Sequence, residues 1–415
     1  MLGSFEGALG SPELAIPLMK SAGLSSNEAA ALLSSGFVAI SKDILPVQFE
    51  LLLVNAEPVD LLHRFADLDR FQRHSQSVGF NVVIADRYTG ALFRPPKLTK
   101  AAVFGARGDS LDLSWLRGHQ QTGRARFHEF PYFNVDSVNE LAHICERLIT
   151  HERETGSRIL FRGQVKEYLL PRHPSVLEFL YGDSDIREPS LPSNAFRNKF
   201  NYIAAEPYLR LILRDVLYRR SDREDRHHWV ETPNEQLNIL SLGDRLRHAL
   251  VDVMGISQHY GIPTYGIDAT SSWETAFWFA THRYSSTNGK SRFDRMRWSG
   301  TDSTQWPIVY VLRTKNAADL SLMSFPSIRA KSQNAFFLPG SWGLHGNVAA
   351  NDIICAIRLS PAAGADHHET SEIFPMPSSD PMYRELLEMK NRYRANPIAA
   401  RIGLDYIFDL EYEAH

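Results

Sequence analysis

Three places in the chain bring together residue types that can grip an anion or move a proton. The first is Phe161-Arg162-Gly163-Gln164. Arginine is permanently charged, and its planar fork of donors matches a phosphate or a carboxylate. Gly163, having no side chain, would let a ligand approach the backbone. A strand-end arginine paired with an acid at the core edge would account for the same residues.

The second place runs from Gln258-His259-Tyr260-Gly261-Ile262-Pro263-Thr264 to Asp268-Ala269-Thr270-Ser271-Ser272. Histidine exchanges a proton near neutral pH, and Asp268 supplies a carboxylate. Ser271 and Glu274 have the spacing of a capping box, so a helix starts here. The start of a helix attracts anions through free backbone donors and the positive end of its dipole. Each residue also has a structural reading: Ser271 and Glu274 as a cap, Asp268 as a brace for the turn, His259 as a charge at a helix end. The third place is Ile328-Arg329-Ala330-Lys331-Ser332-Gln333-Asn334-Ala335-Phe336-Phe337. Its polar side chains could face a cleft, or form a plain loop leading into a strand.

Elements must hold these residues. Arg158-Ile159-Leu160-Phe161 reads as a strand with Arg162 at its end, and Ile308 to Leu312 as a second strand. Ser137 and Glu140 have capping-box spacing ahead of Val138, Leu141, Cys145 and Leu148, which share one helical face. Leu246, Leu250, Val253 and Met254 predict a helix from Asp244 to about Tyr260, with Gly261 as its C-cap and Pro263 preventing continuation. Trp273, Ala276, Phe277 and Ala280 predict another helix with one buried face.

Earlier in the chain, Glu50 to Val54 and Asn81 to Ala85 read as buried strands. Val59 to Arg73 carries helical spacing, and Asp86 to Gly90 reads as a turn. Phe104 to Tyr132 is rich in Gly, Arg and His without periodicity, which predicts a surface loop or a connector. The expected division is a small N-terminal α/β domain over residues 1–130, a candidate for target recognition, and a larger domain over 131–415.

Composition narrows the classes. The apolar fraction of 43% and charged fraction of 22% are those of a globular protein. A formal charge of −3 gives no global nucleic-acid footprint. Two cysteines, Cys145 and Cys355, rule out a disulfide framework or a multi-cysteine zinc site, and favour a reducing compartment. No apolar run is long enough to span a membrane. The expectation is a cytoplasmic protein with no membrane partner and no metal.

Taken in order, the three places resemble the FRG domain. That family has an FRG-Q start, a QHYG-x-PT-x-x-x-D-x-T middle motif, an Ala-x-x-Phe-Ala helix and a late R-x-x-x-Q-x-x-x-F element. Here they stand as Phe161–Gln164, Gln258–Thr270, Ala276–Ala280 and Arg329–Phe337. Tyr383 to Leu410 is similar to the family's closing segment. The resemblance runs from about Asp136 to the C-terminus. One departure is Tyr265-Gly266-Ile267-Asp268, where the family usually has Arg-Leu-Leu-Asp. The missing basic group could be supplied by Arg329 or Arg245.

The family's order of motifs is similar to that of ADP-ribosyltransferases. The resemblance therefore implies an α/β (α+β) fold with a split, mixed sheet and flanking helices, and NAD as substrate. Arg162, Gly163, Tyr260, Asp268 and Ser271 would bind the cofactor, and Gln333, Thr270 and His259 would be catalytic. Arg162, Thr270 and Gln333 would line one cleft. Departure of nicotinamide builds positive charge on the ribose, which the site must stabilise. Gln333 stands where a carboxylate would serve, and an amide cannot carry that charge. Asp268 or Glu274 could supply it. The implied function is ADP-ribosyl transfer or NAD glycohydrolysis on a macromolecular acceptor, protein or nucleic acid, as a toxin or defence effector. The alternatives are a module that senses a nucleotide or phosphorylated ligand without turnover, and a nuclease-like hydrolase using His259 and Asp268.

Overall fold

The computed structural model describes residues 12–41, 82–89, 92–93, 121–125, 129–153 and 158–198, positions 205, 208 and 209, and, with short interruptions, 251–412. The first part holds helices α1 (Pro12–Ser21) and α2 (Ser26–Ser34) and strands β1 (Phe37–Ser41), β2 (Val82–Asp86) and β3 (Leu92–Phe93), which pair in the order β1-β2-β3. Strand β2 answers the Asn81 to Ala85 expectation, shifted by one residue. A turn follows it, where the Asp86 carboxylate accepts from the amide of Tyr88 and the hydroxyl of Thr89. The strand expected at Glu50–Val54 and the helix expected at Val59–Arg73 lie outside the described residues.

Next come β4 (Gln121–Arg124), β5 (Glu129–Val135), α3 (Val138–Arg153), β6 (Arg158–Gln164), α4 (Pro174–Tyr181) and α5 (Asn194–Asn198). They are followed by β7 (Ile267–Thr270), α6 (Trp273–Thr281), the hairpin β8 (His282–Thr287) and β9 (Lys290–Arg295), β10 (Ile308–Thr314) and β11 (Ala318–Asp319). The chain continues through α7 (Ile328–Ser332), β12 (Ala335–Leu338), β13 (Ile353–Leu359), α8 (Thr370–Ile373) and α9 (Pro381–Arg392). Eight strands form one mixed sheet, ordered β11-β12-β7-β6-β10-β13-β5-β4. Its β13–β5 pair is parallel and its other pairs are antiparallel. The fold is thus mixed α/β, of the α+β kind.

Strand β10 is central and reads Ile-Val-Tyr-Val-Leu because both faces of the sheet are covered there. Val309 and Val311 point into a core built with Leu141, Cys145 and Leu148 of α3 and Ala276, Phe277 and Ala280 of α6. Ile308, Tyr310 and Leu312 point into a second core with Leu160, Ile267, Ala269 and Tyr132. Among these polar-tipped residues, the Tyr132 hydroxyl donates to Glu167, a buried carboxylate that also pairs with Arg187 and Arg358.

The stretch 104–132, expected as a loop or connector, contributes β4 and β5 to this sheet. Strand β5 alternates: Phe130 and Tyr132 go into the second core, Phe133 and Val135 into the first. Gly123 of β4 lies against the rings of Tyr132 and Phe130, where a side chain would collide. The signal was hidden because β4, Gln-Thr-Gly-Arg, has almost no apolar content. Residues 130 and 131, where the two expected domains divide, both lie within β5.

The N-terminal part meets the rest through a shared core. Ala15, Met19, Leu32, Phe37 and Ile84 pack with Val176, Leu177 and Tyr181 of α4. At its edge Arg172 is buried between Asp86, at 2.8 Å, and Glu188, at 2.9 Å. No helix of the described residues is long and apolar enough to cross a membrane.

Candidate functional site

Arg162 does not end its strand. Strand β6 continues to Gln164 because β10 pairs along its whole length, from Ile308↔Gln164 to Thr314↔Arg158. On its other side β6 meets β7 at one position, Phe161↔Thr270. Beyond that point the two strands part. Arg162 spans the opening, and its Nη1 donates to the backbone carbonyl of Asp268. Its Nε has no hydrogen-bond partner among the described residues. Burial pushes the guanidinium down to about 10; the carboxylate of Asp268 opposes this, and the charge of Arg197 adds to it.

Strand parity decides which side chains share a face. Opposite partners lie on the same face, so Thr270 stands with Phe161 on the side covered by α6. Asp268, two residues away on β7, stands on that side too. Arg162 pairs with Tyr310 and leaves the sheet on the opposite face. Arg162 and Thr270 therefore do not project into one cleft as expected. Arg162 joins the group by reaching through the opening to the Asp268 carbonyl.

The other residues are brought together by the turn after the helical run 253–259. Gly261 ends it with φ 105°, a left-handed conformation that favours glycine, and a Cβ there would lie 2.4 Å from the carbonyl of Tyr406. The amide of Ile262 returns to the carbonyl of Ser257 at 3.0 Å. Thr264 donates to the side-chain oxygen of Gln258. This geometry sets His259 facing β7 and α7.

His259 is buried. Its Nδ1 is 3.1 Å from Oε1 of Gln333. Its Nε2 is 3.5 Å from Oδ1 of Asp268, whose side chain is 34% exposed. The Gln333 amide nitrogen donates to the carbonyl of Ile373 at 3.1 Å, and this fixes which end of the amide is oxygen. Because Oε1 is an acceptor, the facing Nδ1 carries the proton. Burial lowers the His259 pKa and Arg329 lowers it further, while Asp268 and the Gln333 hydrogen bond pull it up.

Gln333 reaches this place because Asn334 turns the chain in a left-handed conformation, φ 45°, which asparagine tolerates. The Thr270 hydroxyl donates to the Gln333 carbonyl at 2.7 Å and accepts from the amide of Ser272 at 3.0 Å. Both side chains are buried and bonded to protein, so Gln333 and Thr270 hold His259 and the turn. Of the two donors on the Gln333 amide nitrogen, one is held by Ile373.

Other expected residues take different places. Where Gly163 would have left room for a ligand, the helix α6 lies directly on it: a Cβ would sit 1.9 Å from the carbonyl of Ala276. Ser271 is exposed, and its neighbour Ser272 is the cap of α6, accepting from Thr275 and donating to Glu274. Ser137 does cap its helix, holding the amide of Glu140, whose carboxylate returns to Asp136. Tyr260 is buried and donates to Asp380, the cap of α9, 120 residues away. Arg329, one candidate to replace the missing basic group, is fully buried and donates to the carbonyl of His259 at 2.9 Å. Arg245, the other, lies outside the described residues.

Asp380 was not among the residues singled out from sequence. Asp380-Pro381 is a helix-start signal, a capping residue followed by proline at the first position. It marked the cap without marking the tyrosine that the same carboxylate binds. The arrangement leaves two groups with unused capacity at the opening, the Arg162 guanidinium and the Asp268 carboxylate. A cation beside a carboxylate backed by a neutral imidazole can bind a phosphorylated ligand and stabilise positive charge that develops near it.

Comparison with curated proteins and with solved structures returned no match. A family model, that of the FRG domain, matches residues 178–289. The match includes the 258–270 motif and α6; Phe161–Gln164 and Arg329–Phe337 lie on either side of it. With the middle motif matched and the two flanking motifs folded against it, this chain carries an FRG domain.

Proposed function

We propose that the chain consumes NAD, as an ADP-ribosyltransferase acting on a macromolecule or as an NAD glycohydrolase, in the manner of a toxin or defence effector. The observation that carries the reading is the opening between β6 and β7, with Arg162 across it and the partly exposed Asp268 at its rim. Arg162 grips the diphosphate. Asp268, in place of Gln333, faces the positive charge that builds on the ribose as the bond to nicotinamide breaks. His259 backs Asp268 and receives the proton of the attacking hydroxyl. Gln333 and Thr270 position His259.

The experiment is to incubate the purified chain with NAD, with and without cell lysate, and to measure free nicotinamide. Release that vanishes in Asp268→Asn supports the reading, and no release under either condition overturns it. A second reading, binding of a nucleotide or phosphorylated ligand without turnover, is favoured by one observation: the side chain of Gln333 is closed off by His259 and Ile373. ADP-ribose binding without nicotinamide release would select it.

A further inference from the structure

Arg329 is a buried cation without a carboxylate. It is 0% exposed, and among the described residues no acid lies within ion-pair distance of it. Its guanidinium lies over the rings of Tyr383 at 4.2 Å, Tyr260 at 4.6 Å and Phe374 at 5.2 Å. Its Nη1 donates to the carbonyl of His259, and its Nε and Nη2 have no partner within hydrogen-bond geometry among the described residues. Aromatic faces offset part of the desolvation cost of such a charge, but an ion pair would do so more fully. A charge kept in this form acts on whatever titrates beside it. Besides the tyrosines, whose hydroxyls titrate far above neutral pH, that group is His259. The charged groups that face this imidazole are Asp268 from β7 and Arg329 from α7.

The protons of His259 are already constrained. Gln333 holds Nδ1 as N–H, so in the neutral ring Nε2 is bare. That bare nitrogen and Oδ1 of Asp268 face each other at 3.5 Å, and neither has a hydrogen-bond partner among the described residues. A second proton on the ring would make an imidazolium facing Asp268 and within the field of Arg329, whose guanidinium is bonded to the carbonyl of the same residue. The carboxylate favours that state, and the buried cation opposes it.

We infer that Arg329 is a positioning residue that keeps His259 neutral, with Nε2 bare and turned toward Asp268, ready to accept a proton. The inference rests on the proposed roles of Asp268 and His259, but it concerns the protonation of His259, which can be read without turnover. In the reaction, the acceptor oxygen bonds to the ribose carbon as the bond to nicotinamide breaks. The bonding pair leaves with nicotinamide, and the acceptor's proton passes by way of the partly exposed Asp268 carboxylate to Nε2. An imidazolium could not take it.

The test follows the ring nitrogens of His259 by NMR in the full chain across pH, with His259→Gln to assign the signal. The expected result is a neutral ring at neutral pH, protonated at Nδ1. Arg329→Met removes the charge and keeps an apolar chain in the aromatic cage, and should move the titration to higher pH. Arg329→Lys keeps the charge and should stay close to the wild type. In nicotinamide release, the acid limb of the pH profile should move to higher pH for Met and not for Lys, a split that loss of packing alone would not give. If Arg329→Met does not fold, Arg329→Gln serves the same comparison. A wild-type ring protonated at Nε2, or a titration indifferent to removal of the charge, overturns the inference. Absence of nicotinamide release with the NMR result intact would overturn the proposed activity and leave the Arg329–His259 relation standing.

Discussion

Nε2 of His259 and Oδ1 of Asp268 stand 3.5 Å apart, and among the described residues neither atom has a hydrogen-bond partner. They are nine positions apart in sequence, across a glycine turn and the start of β7. Two acceptors held face to face repel each other until a proton or a donor comes between them.

Asp268→Asn should abolish most nicotinamide release, by about a hundredfold or more, the scale of a lost acid–base group. The fold should be little affected, since the side chain is 34% exposed and the imidazole it faces is neutral. Measured turnover with a melting curve distinguishes the two. Turnover within a few-fold of wild type would remove Asp268 from the reaction.

Arg162→Lys keeps the charge and loses the fork. ADP-ribose binding, measured by calorimetry, should weaken by about 1–3 kcal/mol, the range of a charge-assisted hydrogen bond. Stability should fall by about 1 kcal/mol through the lost bond to the Asp268 carbonyl. Unchanged binding with a large loss of stability would make Arg162 a structural tie between two strands.

Gly163→Ala separates packing from ligand approach. With α6 lying on this residue, the added methyl has nowhere to go, and the cost should be about 1–3 kcal/mol or more in chemical denaturation. If the variant is as stable as the wild type and binds ligand less well, the glycine serves the ligand after all.

Arg172→Met tests the joint between the N-terminal part and the rest. It strands Asp86 and Glu188 as buried carboxylates, and should destabilise the chain by about 3–5 kcal/mol. Denaturant titration of the full chain measures it. A change below about 1 kcal/mol would mean that the ion triple adds little to this contact.

His259 also predicts a pH effect on stability. Its pKa is lower in the folded chain than its ordinary value of 6.5, chiefly through burial. The unfolded chain therefore binds the proton more readily, and stability is lost as pH falls from above 6.5 toward the lower folded value. His368, raised by its bond to Asp366, acts in the opposite sense over a neighbouring range. The comparison of wild type with His259→Gln cancels it. The difference in stability between them should shrink on acidification, and a difference that is flat with pH would show that His259 does not titrate as described.

Much of this was legible in the chain itself, because local rules suffice for it. The apolar run of β10 required a strand covered on both faces, the spacing of Ala276, Phe277 and Ala280 required a helix with one buried stripe, and Gly261 required a turn. The order of three motifs pointed to the FRG domain and put Arg162, His259, Asp268 and Gln333 under suspicion together. What spacing could not decide was which face each residue takes and what it touches. One extra pair of residues on β6 puts Arg162 inside the strand, and strand parity then sends it away from Thr270. The amide of Gln333 and the hydroxyl of Tyr260 find partners 74 and 120 residues away in sequence. Those pairings depend on how strands and helices stack in three dimensions, and they determine which polar groups are consumed by the fold and which remain for a ligand.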